Sequence, residues 1–318
     1  MTAADPRPLP DRWIPLATGA VAVVELVVLR IATRSFVNIP GLDRWATPLR
    51  AVGEAGRVSY YVAVVLTVVT WGWVLRNSAA TNFGPRMLLA AATVGFAGAA
   101  AAYRLGVLGG EAMGWASLAS VAALAMVAEP GRRRIPVVLF GGAAVLTGLG
   151  TYFGASGIAQ LTLSALLVGG EVLAVAAGIS APLVLGERLT RRATGLGLAV
   201  AFAATLALAW RPSPFRVLVL WSFGMPVSLP AWTYGLAAGL VTATVWQAWS
   251  NRRWGMVGGL LLLFSGGVGL ISTYQSALVV AGLAALAIEL DRPLPNPGML
   301  PQPEQRSLLS RAGTVPAL

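Results

Sequence analysis

Apolar runs near the roughly 20 residues that a membrane-spanning helix needs recur ten times along the chain. They fall at 13–33, 57–76, 85–104, 111–129, 135–152, 158–186, 193–210, 231–250, 254–273 and 275–290. The polar positions lie between them and are of the kinds that end helices. Pro130-Gly131 and Arg132–Arg134 stop the fourth run, Gly186–Arg192 is a charged hairpin after the sixth, and Ser250–Trp254 is another after the eighth. The uncharged break Phe153–Gly157 divides the long apolar region between the fifth and sixth. The pattern predicts an all-α polytopic bundle of about ten transmembrane helices in one domain, 13–290. A short tail, 1–12, precedes it. Residues 291–318 follow, with prolines at 293, 295, 297, 301, 303 and 316, a composition that predicts a flexible tail without a core.

Two connecting segments are longer than turns. Residues 35–57 mix charge with Trp45 and Leu49, and 212–230 are apolar but broken by four prolines. Both are read as packed surface loops; the alternative is an interfacial piece for each, or a re-entrant one for 212–230.

Composition sets the class. The chain is 57% hydrophobic and 11% charged with mean hydropathy +0.74, which points to a polytopic membrane protein. All 23 basic residues are arginine, and the net charge is +11. Because the arginines cluster at the ends of the apolar runs, they are read as topology signals and contacts for anionic lipid headgroups, not as a nucleic-acid surface. With the N-terminus in the cytoplasm, fifteen arginines fall on inside segments and seven outside, which also puts the C-terminus inside. Arg30 and Arg104 lie near outer helix ends, where they can snorkel to the surface. The first run carries Glu25 and no small-x-small cleavage signal, so it is read as a retained span. Lysine-free, Arg- and Ala-rich usage points to a bacterial cytoplasmic (inner) membrane.

What is missing narrows the chemistry. There is no Cys, His or Lys. Disulfides, Ser-His and Cys-His nucleophile pairs and lysine Schiff bases are excluded, and haem, zinc and copper lose their usual ligands. The expectation is a protein without cofactor or metal and without catalytic residues.

Two carboxylates interrupt the apolar runs near the bilayer centre, Glu25 in VAVVELVVLR and Glu171 in LLVGGEVLAVAAG. An acid at that depth costs about 2.5–3.5 kcal/mol on insertion scales, so it faces the bundle interior and marks a functional site by default. Ser164 and Gln160 stand seven and eleven residues before Glu171, nearly on its own helical face. Glu25, Glu171, Gln160 and Ser164 are therefore the candidates for proton coupling or transport. Thr233, Thr244, Gln247 and Asn251 make a further polar stripe, read as packing. Glu111, Glu129, Glu187 and Glu289 fall at run ends, where water is expected. Tyr60, Tyr61, Trp71, Trp73, Trp210, Trp246, Trp249 and Trp254 fit an interfacial aromatic belt.

Glu25 and Glu171 sit five spans apart, which would relate the halves as an inverted repeat. A competing match, Gly141-Gly142 and Thr151-Tyr152 with Gly258-Gly259 and Thr273-Tyr274, implies a parallel one. The ten-span layout is similar to that of the drug/metabolite transporter superfamily, and LGERLT at 185–190 looks like the segment after that family's fourth helix. Here it follows the sixth run. Three functions are in play: a secondary transporter of a small molecule, a non-catalytic scaffold or accessory subunit of a membrane complex, and a lipid-linked enzyme using Asp43 and Glu54. The transporter is preferred.

Overall fold

The structure, a computed structural model, describes residues 12–31, 46–78, 83–127, 131–153, 160–210, 219 and 223–291. The tails 1–11 and 292–318, and with them most of both predicted terminal segments, lie outside the described residues, as do Glu129 and Asp43. Ten α-helices follow one another: α1 (Trp13–Glu25), α2 (Ala46–Ser78), α3 (Phe83–Arg104), α4 (Gly110–Val127), α5 (Ile135–Phe153), α6 (Gln160–Ser180), α7 (Arg191–Ala209), α8 (Ala231–Ser250), α9 (Trp254–Gly266) and α10 (Thr273–Leu290). Among the described residues there is no strand, and seven helical segments are long and apolar enough to cross a membrane.

The ten helices match the ten apolar runs, with four corrections to their extents. The first run is α-helical only to Glu25 and continues as a π-helical turn, Leu26–Ile31. The second helix starts at Ala46, so the latter part of segment 35–57 is helix and not loop. At 33 residues α2 is about 50 Å long, well beyond a hydrocarbon core of roughly 30 Å. The sixth run ends in a 3-10 turn, Ala181–Leu185, closed by Gly186 at φ 68, a left-handed position that glycine takes without a Cβ clash. The ninth run is helical only from Trp254 to Gly266, about 20 Å, and turns back through 267–272.

Helix α10 is the spine. Every residue from Tyr274 to Leu290 is buried, and α9, α4, α2, α3 and α1 all pack on it. Its sequence is apolar on all sides, as a helix wrapped by others must be. Large apolar side chains face outward instead on α2 (Val58, Val65), α6 (Leu161) and α7 (Leu198, Phe202), a surface suited to lipid.

Small residues set the closest approaches. On α7 and α8, a Cβ at Gly239 would lie 2.3 Å from the Gly197 carbonyl oxygen, and one at Gly235 would strike the Thr205 hydroxyl. Gly19 and Gly258 bring α1 onto α9 in the same way, and the Thr18 and Thr70 hydroxyls share a 2.7 Å hydrogen bond between α1 and α2. Three residues expected in the aromatic belt belong to the interior: Trp73 is buried, Trp71 stacks edge-on against Phe96, and Tyr60 packs on Tyr274 at 4.9 Å. Tyr61, Trp210, Trp246 and Trp249 are exposed.

Candidate functional site

Glu171 lies midway along the apolar segment Gln160–Leu185 and has no exposed surface. A carboxylate so placed needs donors. Both come from one residue outside the helices: the Ser228 N–H donates to Oε1 at 2.8 Å and the Ser228 hydroxyl donates to Oε2. Ser228 stands just before α8, in the non-helical stretch 224–230, and Leu229 N–H is held in turn by the Tyr234 hydroxyl at 3.2 Å.

That stretch does not skirt the bundle. The Phe223 carbonyl accepts the N–H groups of Val268 (3.2 Å) and Gly269 (3.0 Å), in the turn between α9 and α10. Gly224 and Gly269 touch backbone to backbone, since a Cβ on Gly224 would lie 2.4 Å from the Gly269 Cα. Leu270, from the same turn, packs on Gly148 of α5. Two broken stretches of chain thus meet, with Val227 and Leu270 buried and Ser228, Pro230 and Ile271 exposed, roughly 20 Å of helix along α9 and about 27 Å along α10 from the end that carries Arg253 and Glu289. Four residues in them have positive φ: Gly224 (72), Val227 (54), Gly267 (68) and Leu270 (45). At Val227 and Leu270 the conformation costs about 1–2 kcal/mol each, so packing must hold it. Non-helical backbone at membrane depth is tolerated only where protein covers it or a cavity is lined by it.

Glu25 is also buried, at 1% exposure, as the last residue of α1 before the π-helical turn. Turns of this kind occur often at functional positions. One turn earlier, Ala22 packs with Ala63, Leu262 and Tyr274, beside Tyr60. The two acids are not on adjoining helices: α1 packs on α2, α9 and α10, and α6 on α5, α8 and the Ala181–Leu185 turn. An inverted repeat matching α1 to α6 would pair the α1–α9 contact with one between α6 and α4, yet α6 packs on α5 and α8.

The companions expected beside Glu171 are elsewhere. Gln160 and Ser164 are exposed, the Ser164 hydroxyl donates to the Gln160 carbonyl at 2.9 Å, and they lie about 16 and 10 Å along the axis from Glu171. Helical phase put them on its face; its partner came from another part of the chain. Arg104 is exposed at the end of α3, and Arg30 falls in the π-helical turn with its side chain outside the described residues. Of the stripe on α8, Gln247 is buried and clamps the α6–α7 connection, donating to the Arg188 carbonyl (2.9 Å) and accepting from Thr190 N–H (2.7 Å). Glu54 is exposed and paired with Arg57 at 3.8 Å, one turn away on its own helix.

Glu289 overturns its expected place at the water. It is 6% exposed, on the last turn of α10, with Arg12 Nε 3.8 Å from its carboxylate. Its Oε1 lies flush against α9, 2.5 Å from where a Cβ on Gly255 would stand. Arg133 donates to the carbonyls of Val184 (3.1 Å) and Leu290 (3.3 Å), and Arg253 to that of Leu185 (2.8 Å). Arg253 also pairs with Glu187 at 3.6 Å, and the Asn251 amide donates to Glu187 at 2.6 Å. Segments that the arginine count assigns to one membrane side, at 12, 133, 187, 253 and 289, are therefore neighbours in space.

Compared with known proteins, the chain matches no family model, no curated protein and no solved structure. Among the described residues the chain is an all-α bundle with seven helices long and apolar enough to cross a membrane, which points to the class of multi-pass membrane proteins.

Proposed function

We propose that the protein is a secondary transporter of a small molecule, inserted in a bacterial cytoplasmic membrane with ten spans and both termini inside. The observation that carries this reading is the joint between Glu171 and Ser228. A buried acid is held by broken backbone, and that backbone rests on the turn between the short helix α9 and the spine α10. Helix breaks that meet beside a buried acid are where secondary transporters build their sites. A proton or a substrate group that arrives on Glu171 takes an acceptor position from Ser228 and loosens the 223–230 stretch; that exchange couples occupancy to movement. Exposed Arg188, Arg191, Arg192 and Arg252 suit the phosphates of the cytoplasmic leaflet.

The test is reconstitution into liposomes carrying an internal pH dye, challenged with a panel of amino acids, amines, organic acids and sugars. The wild-type protein should move protons in response to some members of the panel, and Glu171→Gln and Glu25→Gln should change the pH dependence of that response. An unchanged pH profile in both variants overturns the reading.

A second reading, a scaffold subunit of a membrane complex, draws on α3. Gly95 and Gly98 are exposed there, with no atom within 4 Å of where a Cβ would be, a surface that another helix can approach closely. A stoichiometric partner on purification from native membrane, together with silence in the flux assay, favours it.

A further inference from the structure

We propose that Glu289, with Arg12, Arg133 and Arg253, forms the cytoplasmic gate of the transport cycle, and that the structure is the state with this gate closed; the inference rests on the transporter reading. The cluster ties five helix ends. Arg12 brings α1 to Glu289 of α10. Arg133, ahead of α5, holds the last carbonyl of α10 and that of Val184 after α6. Arg253, ahead of α9, holds Leu185 and Glu187. These same helices carry Glu25 and Glu171 about 20 Å further along and the α9–α10 turn beyond them, so moving them apart at this end opens a way toward the acids.

Its chemistry differs from that of the packing around it. Elsewhere, apart from single hydrogen-bonded joints such as Thr18–Thr70, Gln247–Arg188 and Glu171–Ser228, the helices are joined by glycine contacts and apolar side chains, which lose stability when water enters. Here the bonds are ones that water can replace. The Arg12–Glu289 and Arg253–Glu187 pairs are long, at 3.8 and 3.6 Å, and the Arg12 and Glu187 side chains at the rim are 31% and 37% exposed. Rim pairs of this kind contribute little individually, while the buried Glu289 cannot stay without a partner. The joint is therefore cooperative: it holds while the arginines surround Glu289 and parts as a unit once the carboxylate reaches water. Gly255 makes the closed position possible, because any side chain there would lift Glu289 off α9.

The chain has no cysteine, so one engineered thiol reports access. Leu270→Cys places it at the α9–α10 turn, where Leu270 is fully buried. A membrane-impermeant maleimide is applied from either side of oriented vesicles. With the native cluster, cytoplasmic labelling should be slow; adding Glu289→Gln should raise it about tenfold, and Arg12→Gln, a rim change that spares the buried carboxylate, several-fold. No rise in either single variant, or fast cytoplasmic labelling with the native cluster, overturns the gate. The two readings fail separately: a rise in labelling by a protein that moves no solute leaves the gate and removes the transporter, whereas solute movement with unchanged labelling removes only the gate.

Discussion

Ser228 meets Glu171 with two donors, its backbone N–H and its hydroxyl, one to each carboxylate oxygen. The pair joins the middle of α6 to the entry of α8, and the two residues fail differently when changed. Ser228→Ala removes one donor and leaves the other, at a cost of about 1.5–3 kcal/mol for a hydrogen bond to a charged group. Glu171→Gln keeps an acceptor for the N–H, and the Ser228 hydroxyl can rotate to accept from the new amide, so stability should change little. Glu171→Leu strands both Ser228 donors and should cost more than Ser228→Ala. Thermal unfolding in detergent, followed by tryptophan fluorescence, ranks the three; equal midpoints for Leu and Gln would show that the clamp is not formed.

Backbone conformation and close packing can be separated at two glycines. Gly106 (φ 74) has nothing within 4 Å of where a Cβ would stand, whereas a Cβ on Gly224 (φ 72) would meet Gly269 at 2.4 Å. Gly106→Ala should cost only the left-handed penalty, about 1–2 kcal/mol. Gly224→Ala should cost that and a clash besides, typically another 1–3 kcal/mol or so. The same unfolding measurement decides it, and equal losses would argue against the contact between the 223–230 stretch and the α9–α10 turn.

The α7–α8 seam gives a purely steric comparison. Gly239→Ala drives a methyl group toward the Gly197 carbonyl at 2.3 Å, while Gly95→Ala on α3 meets nothing. The first should lower stability by about 1–3 kcal/mol. The second should be neutral or raise it by a few tenths, since alanine is the better helix former by about 1 kcal/mol in water. Detergent-solubilised melting curves of the two variants test this; a neutral Gly239→Ala would mean that the helices pack less closely.

Adjacent arginines in the α8–α9 turn should behave oppositely. Arg253 is largely buried and bonds to Leu185 and Glu187, so Arg253→Gln should destabilise by about 1–3 kcal/mol through partners left unpaired. Arg252 is exposed at φ 55, a left-handed conformation that asparagine or glycine takes more readily. Arg252→Gly should be neutral or stabilising by up to about 1 kcal/mol. Loss of stability in both, by thermal melt, would show that the turn is held by charge and not by these particular bonds.

The site was legible in part. Glu25 and Glu171 stand out because a carboxyl in an apolar run has to be buried or paired, whatever surrounds it. Ser228 had no such signal: a serine among prolines in a connecting stretch is ordinary, and it becomes notable only where the stretch meets Glu171. Glu289 misled in the opposite direction. One turn from the end of a span it should meet water, yet α1, α5 and α9 close over it with arginines from remote parts of the chain.

The apolar run lengths and their breaks by themselves determined ten helices and their order, because each of these depends on a residue and its near neighbours. Only the tertiary structure decided that α10 is the enclosed spine and α7 a peripheral helix, although the two are almost equally apolar. It alone decided that α9 stops short and that Glu171 is met by Ser228. The reason is physical: hydropathy measures what a segment can bury, while the neighbours that bury it are chosen by contacts, glycine against glycine and donor against carboxylate, between residues far apart along the chain.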